Sequence, residues 1–160
     1  MRMRTLSKKE KRVLQEYFVR FGVDINRLEG TLVVIGKKVF LARDDVLKTA
    51  HNIEENLKIA PYAVGVEIGN LYEEFEPSLG FADVIADYTK EKAVITEEGE
   101  KLFSYGRDVF LENIKEGKTV GEKVVTNERN EVLGLGFFDG KMLINVIDKG
   151  FYLRGKKGRR

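Results

Sequence analysis

The chain has 160 residues, 42% apolar and 34% charged, a composition that fits one or two folded domains and excludes wholesale disorder. It has no cysteine, so disulfides, thiolate zinc sites and cysteine nucleophiles are excluded, and no run nears the ~18 apolar residues of a membrane span. The net charge of +2 conceals a segregation. The first twelve residues hold six bases (Arg2, Arg4, Lys8, Lys9, Lys11, Arg12) and one acid, Glu10; the last seven hold five bases and no acid; the stretch between is acidic by eight charges. Clustered cations suit phosphate neutralisation, although a charged terminus can equally be a solvated end. The amino terminus lacks the apolar core of a secretory signal, and a cytoplasmic protein is expected.

Ser7 to Phe21 reads as the first helix. Ser7 and Glu10 form a capping box, Val13, Leu14, Tyr17, Phe18 and Phe21 make one apolar stripe, and Gly22 supplies the stop. Thr31–Ile35 and Lys38–Ala42 flank Gly36-Lys37 and predict a hairpin. Asp44 is the expected cap of a second helix running to about Leu57, with Val46, Leu47, Ala50 and Ile53 facing inward. His51 lies in it; with no histidine partner and no evident triad, it reads as an ordinary helix residue rather than a catalyst. Lys58 to Leu71 alternates loosely around Pro61 and Gly65, as one long bent strand or two short ones. Glu73, Glu74 and Glu76 form an acidic turn. Pro77-Ser78 is expected to open a short helix through Asp87. Asp83 and Asp87 share a face of it, a pairing that could serve acid–base or metal chemistry but is more commonly an exposed like-charged pair. The polar bridge Tyr88-Thr89-Lys90-Glu91 is the expected boundary between domains at 1–88 and 89–160.

Beyond it, Ala93, Val94 and Ile95 form a strand, and Thr96 caps a short helix from Glu97 to Tyr105 with Leu102, Phe103 and Tyr105 inward. Gly106 ends this helix, and Val109-Phe110-Leu111 returns as a strand. Lys115 to Lys118 is the expected turn before a strand from Val120 to Thr126. The polar loop Asn127-Glu128-Arg129-Asn130 joins that strand to Glu131–Phe138, and Asp139-Gly140 signals a type I′ turn into Met142–Ile147. The last two strands are apolar on both faces and should be covered on both. Gly134 and Gly136 fit tight curvature or close backbone approach.

These residues resemble a PUA domain, the small RNA-binding barrel of pseudouridine synthases and archaeosine transglycosylases. The resemblance rests on a strand, a helix ending in Ser104-Tyr105-Gly106-Arg107-Asp108-Val109, and the segment Thr126-Asn127-Glu128-Arg129-Asn130-Glu131-Val132-Leu133-Gly134-Leu135-Gly136. It closes with Asp148-Lys149-Gly150-Phe151-Tyr152-Leu153-Arg154, expected as a last strand that delivers the basic tail. With the capped first helix, the hairpin and the Ala86–Phe103 transition, the whole chain resembles the Nip-seven family of archaeal and eukaryotic large-subunit ribosome-biogenesis factors. The resemblance implies an α+β chain. An amino-terminal α/β domain with an antiparallel sheet and helices would precede a PUA-type mixed β-barrel carrying the tail.

It further implies a non-enzymatic protein without cofactors that binds pre-ribosomal RNA and other assembly or RNA-processing proteins, with no membrane or DNA partner. On that matching, the RNA-binding candidates are Lys101, Tyr105, Gly106 and Arg107 on one side. On the other they are Lys149, Tyr152, Arg154, Lys156, Lys157 and Arg159. Gly106 would let backbone approach a phosphate, the cations would neutralise phosphates, and either tyrosine could stack on an unpaired base. Both tyrosines could instead be core, and helical spacing from Leu102 favours that for Tyr105. Two other readings stay open. One is an adaptor whose acidic surface around Glu73, Glu74 and Glu76 docks an RNA-processing enzyme. The other is a small RNA-modifying or RNA-cleaving enzyme relying on Asp83, Asp87 and His51. No glycine-rich phosphate loop follows a strand and opens a helix, which disfavours a cofactor enzyme.

Overall fold

Five strands of the amino-terminal half pair in chain order. In the computed structural model, which describes residues 2–58 and 63–151, β1 (Met3–Thr5), β2 (Thr31–Ile35), β3 (Lys38–Ala42), β4 (Val66–Leu71) and β5 (Phe75–Pro77) form an antiparallel sheet. The hairpin forms as its sequence predicts, with Ile35 opposite Lys38 and Gly36 at φ 65°. Val33 and Val34 are both buried, as are Val39 and Phe40. Successive strand side chains point to opposite faces, so both faces of the sheet are covered. Met3, Val33, Ile35, Phe40, Ala42, Ala50 and Val64 make one cluster, with Val46 and Leu47 packed against it. Elsewhere in this unit α1 (Lys8–Phe18) sets Tyr17 edge-on to Phe75 and Phe81, with ring centroids 5.4 and 5.2 Å apart, and Phe18 edge-on to Phe81 at 5.1 Å.

The capping box of α1 is present: Glu10 N–H donates to Ser7 Oγ, and Ser7 N–H donates to Glu10 Oε1. The helix is shorter than its apolar stripe implies. It ends at Phe18, and Val19–Phe21 continue as a 3₁₀ turn before Gly22 at φ 69°. In α2 (Asp44–Leu57) the cap is Arg43, without a side-chain cap bond; Asp44 is the first helical residue, where its charge favours the helix dipole. Ile53, expected inward, is exposed. The long strand expected from Lys58 is shorter: β4 begins at Val66, and the part holding Pro61 lies outside the described residues. Pro77 ends the edge strand β5 instead of opening a helix, where its missing N–H costs no ladder bond. The helix that follows, α3 (Leu79–Ile85), stops short of Asp87.

By internal contacts the chain divides into two units. Residues 1–19 and 23–81 form the first; Arg20–Gly22 and everything from Ala82 form the second. The second holds β6 (Lys92–Ile95), α4 (Glu97–Ser104), β7 (Val109–Phe110), β8 (Ile114–Glu116), β9 (Gly121–Thr126), β10 (Val132–Phe138) and β11 (Met142–Asp148). They form a six-stranded mixed sheet in the order β7-β11-β10-β9-β6-β8, curled into a nearly closed barrel. β6 and β9 pair in parallel and the other pairs are antiparallel. Ala93, Ile95, Phe103, Val109, Ile114, Val125, Leu133, Phe138 and Leu143 are its core. Phe103 brings α4 into that core, and the helix packs on β6, β7, β10 and β11.

Five local expectations change here. The return strand at Val109 pairs for two residues only, and Leu111–Asn113 is a 3₁₀ turn. Lys115 and Glu116 belong to β8, and the turn expected at Lys115 starts at Gly117, φ 90°. The Asp139-Gly140 hairpin is displaced by one residue: Phe138 faces Leu143, Asp139 N–H donates to the Met142 carbonyl, and the central pair is Gly140-Lys141. Asp139 acts as the turn's side-chain acceptor, taking bonds from the Lys141 and Met142 N–H groups. The strand expected across Asp148–Arg154 ends at Asp148; Lys149 turns and Gly150 and Phe151 are helical. Nor is β11 covered on both faces, since Ile144 and Val146 are exposed beside Phe110 of β7.

Candidate nucleic-acid interface

The site is built from the end of α4 outward. Thr96 caps the helix as predicted, its hydroxyl accepting from Gly99 N–H at 3.1 Å and donating to Asn113 Oδ1 at 2.9 Å. At the other end Gly106 sits at φ 80°, a left-handed conformation that suits glycine. Its N–H donates to the Phe103 carbonyl, and Arg107 N–H donates to the Leu102 carbonyl. These two bonds form a Schellman motif, which satisfies the last carbonyls of the helix. Tyr105 is thereby the cap residue, at φ −93° and ψ 11°, and its side chain leaves the apolar stripe. It is 67% exposed, so the expectation that it joins the core with Leu102 is overturned.

Two asparagines hold the neighbouring loops. Asn145 of β11 donates from Nδ2 to the Phe103 carbonyl at 2.9 Å and to the Arg107 carbonyl at 3.5 Å, while its N–H donates to Asp108 Oδ1 at 2.8 Å. The turn after α4 is thus tied to the barrel. Asn127, itself buried, accepts at Oδ1 from the N–H groups of Arg129 and Glu131. Its Nδ2 donates to Glu131 Oε1 at 2.8 Å and to Glu100 Oε1 of α4 at 3.3 Å. The hairpin loop is therefore fixed beside the helix. Arg129 Nε donates to Glu131 Oε1 at 2.7 Å. The Asn127 amide first, and Arg129 next, hold the Glu131 carboxyl below its usual range, and Glu131 raises the Arg129 guanidinium in turn.

Between these elements lies an open groove of about 710 Å³. Lys101, Ser104 and Tyr105 line it from α4 and its cap, Arg129 from the hairpin loop, and Lys149 and Gly150 from the segment after β11, with Glu97 and Glu100 on its acidic side. Lys149 Nζ is 3.0 Å from Asp83 Oδ1, and its N–H donates to the Leu133 carbonyl. The arrangement can offer an aromatic face flanked by three cations, two of them already matched by a carboxylate.

Of the residues singled out in the sequence, Lys101, Tyr105 and Lys149 meet in the groove. Gly106 and Arg107 occupy the turn behind Tyr105, with Arg107 exposed, and do not line it. Tyr152, Arg154, Lys156, Lys157 and Arg159 lie outside the described residues. Arg129 was not among the binding candidates, although it sits inside the Thr126–Gly136 signature; its place as a cation between two asparagines of a tight loop was the available signal. His51 is exposed on α2, and Asp83 and Asp87 are exposed, with Asp83 engaged by Lys149. Among the described residues no three histidine or carboxylate groups gather as a metal site, and no helix is long and apolar enough to cross a membrane.

Family models and relatives divide the chain in a matching way. A model described as the pre-PUA domain of NIP7/UPF0113 matches residues 3–79, and one described as the UPF0113 PUA domain matches residues 91–157. A UPF0113 protein of Archaeoglobus fulgidus is 30% identical over 115 residues, covering 62% of this chain and 66% of its own length. A UPF0113 protein of Aeropyrum pernix is 27% identical over 166 residues, covering 96% of this chain and 92% of its own. Among solved structures, a conserved PUA domain protein from Thermoplasma acidophilum shares the fold at a TM-score of 0.53 and 15% identity, over 89% of this chain and 92% of that one. The two matched segments lie in the order that the sheet and the barrel take along the chain, and together they account for most of it. The chain therefore belongs to the NIP7/UPF0113 family, a pre-PUA domain followed by a PUA domain.

Proposed function

We propose that this protein is a non-enzymatic RNA-binding factor of large ribosomal subunit biogenesis and pre-rRNA processing, acting in the cytoplasm through residues 89–160. The PUA domain and the NIP7 family point to RNA binding. The observation that carries the reading to particular residues is Tyr105, held out of the core by its helix cap into a groove with Lys101, Arg129 and Lys149. A base stacked on its ring would gain ~1–3 kcal/mol, and the flanking cations would neutralise the adjoining phosphates. Gly106 and Arg107 support the platform from behind, and the reading includes Tyr152, Arg154, Lys156, Lys157 and Arg159 as further residues that would contact RNA.

The test is RNA binding across a salt series by the intact protein, by Tyr105→Ala, by Arg129→Gln and by a chain ending at Leu153. Tyr105→Ala should weaken binding at every salt concentration, whereas Arg129→Gln and the truncation should also flatten the salt dependence. Unchanged binding in all three variants would overturn the assignment. The adaptor reading is favoured by one observation, the exposure of Glu73, Glu74 and Glu76 together on the β4–β5 turn and β5. Protein partners that remain bound after nuclease treatment would support it.

A further inference from the structure

The basic amino terminus takes no part in the groove just described, and the first unit carries its own exposed aromatic. Antiparallel pairing brings the β2–β3 turn and the β4–β5 turn to one end of the sheet, where Leu71 N–H donates to the Lys37 carbonyl at 2.7 Å. Tyr72 leads the second turn and is 54% exposed. Lys37, at the tip of the first, sets its Nζ 5.8 Å from the centroid of the Tyr72 ring. Lys9, on the first turn of α1, lines the same open groove of about 800 Å³. Among the described residues neither Lys9 nor Lys37 has an ion-pair partner. Arg4 lines the groove too, but Glu10 matches its charge through bonds of 2.7 and 2.8 Å, and Glu73 adds one acid to the rim.

We infer that this end of the sheet is a second nucleotide site, taking a base of unpaired RNA on Tyr72 and its phosphates on Lys9 and Lys37. A cation over one face of a tyrosine leaves the other face for stacking, and base–aromatic stacking tolerates any base. The charge is right for one or two nucleotides of a single strand. A duplex would need a row of cations tracking its backbone, and here two lysines stand beside Glu73, with Glu74 and Glu76 exposed on the same turn and β5. The site shares no residue with the groove around Tyr105, because all of its residues belong to the first unit.

The experiment uses the full chain and a tetranucleotide carrying 5-iodouridine, photo-cross-linked and mapped by mass spectrometry. Tyr72 should carry a cross-link and keep it in a Tyr105→Ala, Arg129→Gln double variant. In that background Tyr72→Ala should weaken binding of fluorescent tetrauridylate roughly tenfold, and Tyr72→Phe should not. Lys9→Gln with Lys37→Gln should lower the salt slope by roughly one. Tyr72 is exposed, so these variants should keep the parent circular dichroism. No cross-link at Tyr72, or Tyr72→Ala binding like its parent, overturns the inference. A cross-link at Tyr105 alone does so while leaving the first groove standing, and a cross-link at Tyr72 alone upholds the second site and counts against the first.

Discussion

Two of the three cations of the candidate groove are already matched in the free protein. Lys149 rests on Asp83 and Arg129 on Glu131, so a phosphate must compete with each carboxylate. Asp83→Asn frees Lys149 without removing a cation. It should strengthen RNA binding by up to about fivefold, the scale of an exposed ion pair, and steepen its salt dependence; fluorescence anisotropy at two salt concentrations measures both. A second residue-scale prediction concerns Glu10, whose carboxyl is lowered from the ordinary 4.5 to about 2, first by its hydrogen bonds with Arg4 and then by the Ser7 N–H and hydroxyl. A lowered carboxyl contributes stability that is present above its unfolded value and lost as pH falls toward the folded one. Urea midpoints of the native chain should therefore decline between about pH 5 and pH 2, and Glu10→Gln should be less stable at neutral pH with a shallower acid limb.

At the scale of elements, the curvature of the barrel depends on close approach between β10 and β11. Gly134 has φ 152°, and a Cβ there would collide with the Ile147 carbonyl and crowd the Asp148 Cα. Gly134→Ala should destabilise the second unit by about 2–4 kcal/mol, read as a lower urea midpoint with an unchanged slope. Features of this scale are legible in the sequence where the signal is local. The capping box at Ser7, the Thr96 cap and the Gly36-Lys37 hairpin each depend on a few neighbouring residues, and each formed. Tyr105 leaves the expected core position because it is the helix cap, where helical spacing no longer sets side-chain direction. The turn falls at Gly140-Lys141, one position later than expected, because Asp139 favours a turn through its side chain rather than by adopting the left-handed backbone itself. Arg129 and Tyr105 line one groove because α4 packs on β10 and Asn127 bonds to Glu100, contacts between segments distant in sequence that no local pattern encodes.

For the whole molecule, the order of sheet and barrel was legible because hydrophobic alternation and turn residues recur in each half. The parallel β6–β9 pairing was not, since it joins strands separated by a helix and two short strands. Nor was the discontinuity of the second unit, which takes in Arg20–Gly22 from the end of the first helical segment. Phe21 is buried, and its carbonyl accepts the Thr89 hydroxyl at 2.6 Å. A fragment beginning at Ala82 lacks both features. It should melt well below the same unit in the intact chain, and Phe21→Ala in the intact chain should reproduce part of that loss, about 3–5 kcal/mol for a buried phenylalanine; differential scanning calorimetry of the three proteins checks it.

That three-residue inlay also bears on synthesis. Arg20–Gly22 leave the ribosome about 60 residues ahead of Ala82, which at 5–20 residues per second is a wait of roughly 3–12 s. Through that interval the first unit is still incomplete and the second has not begun, so the Phe21 ring has no finished core to enter. The chain thus carries a timed exposure at its amino-terminal end, and slower translation through residues 23–81 would prolong the stage at which a nascent chain holdase could recognise it.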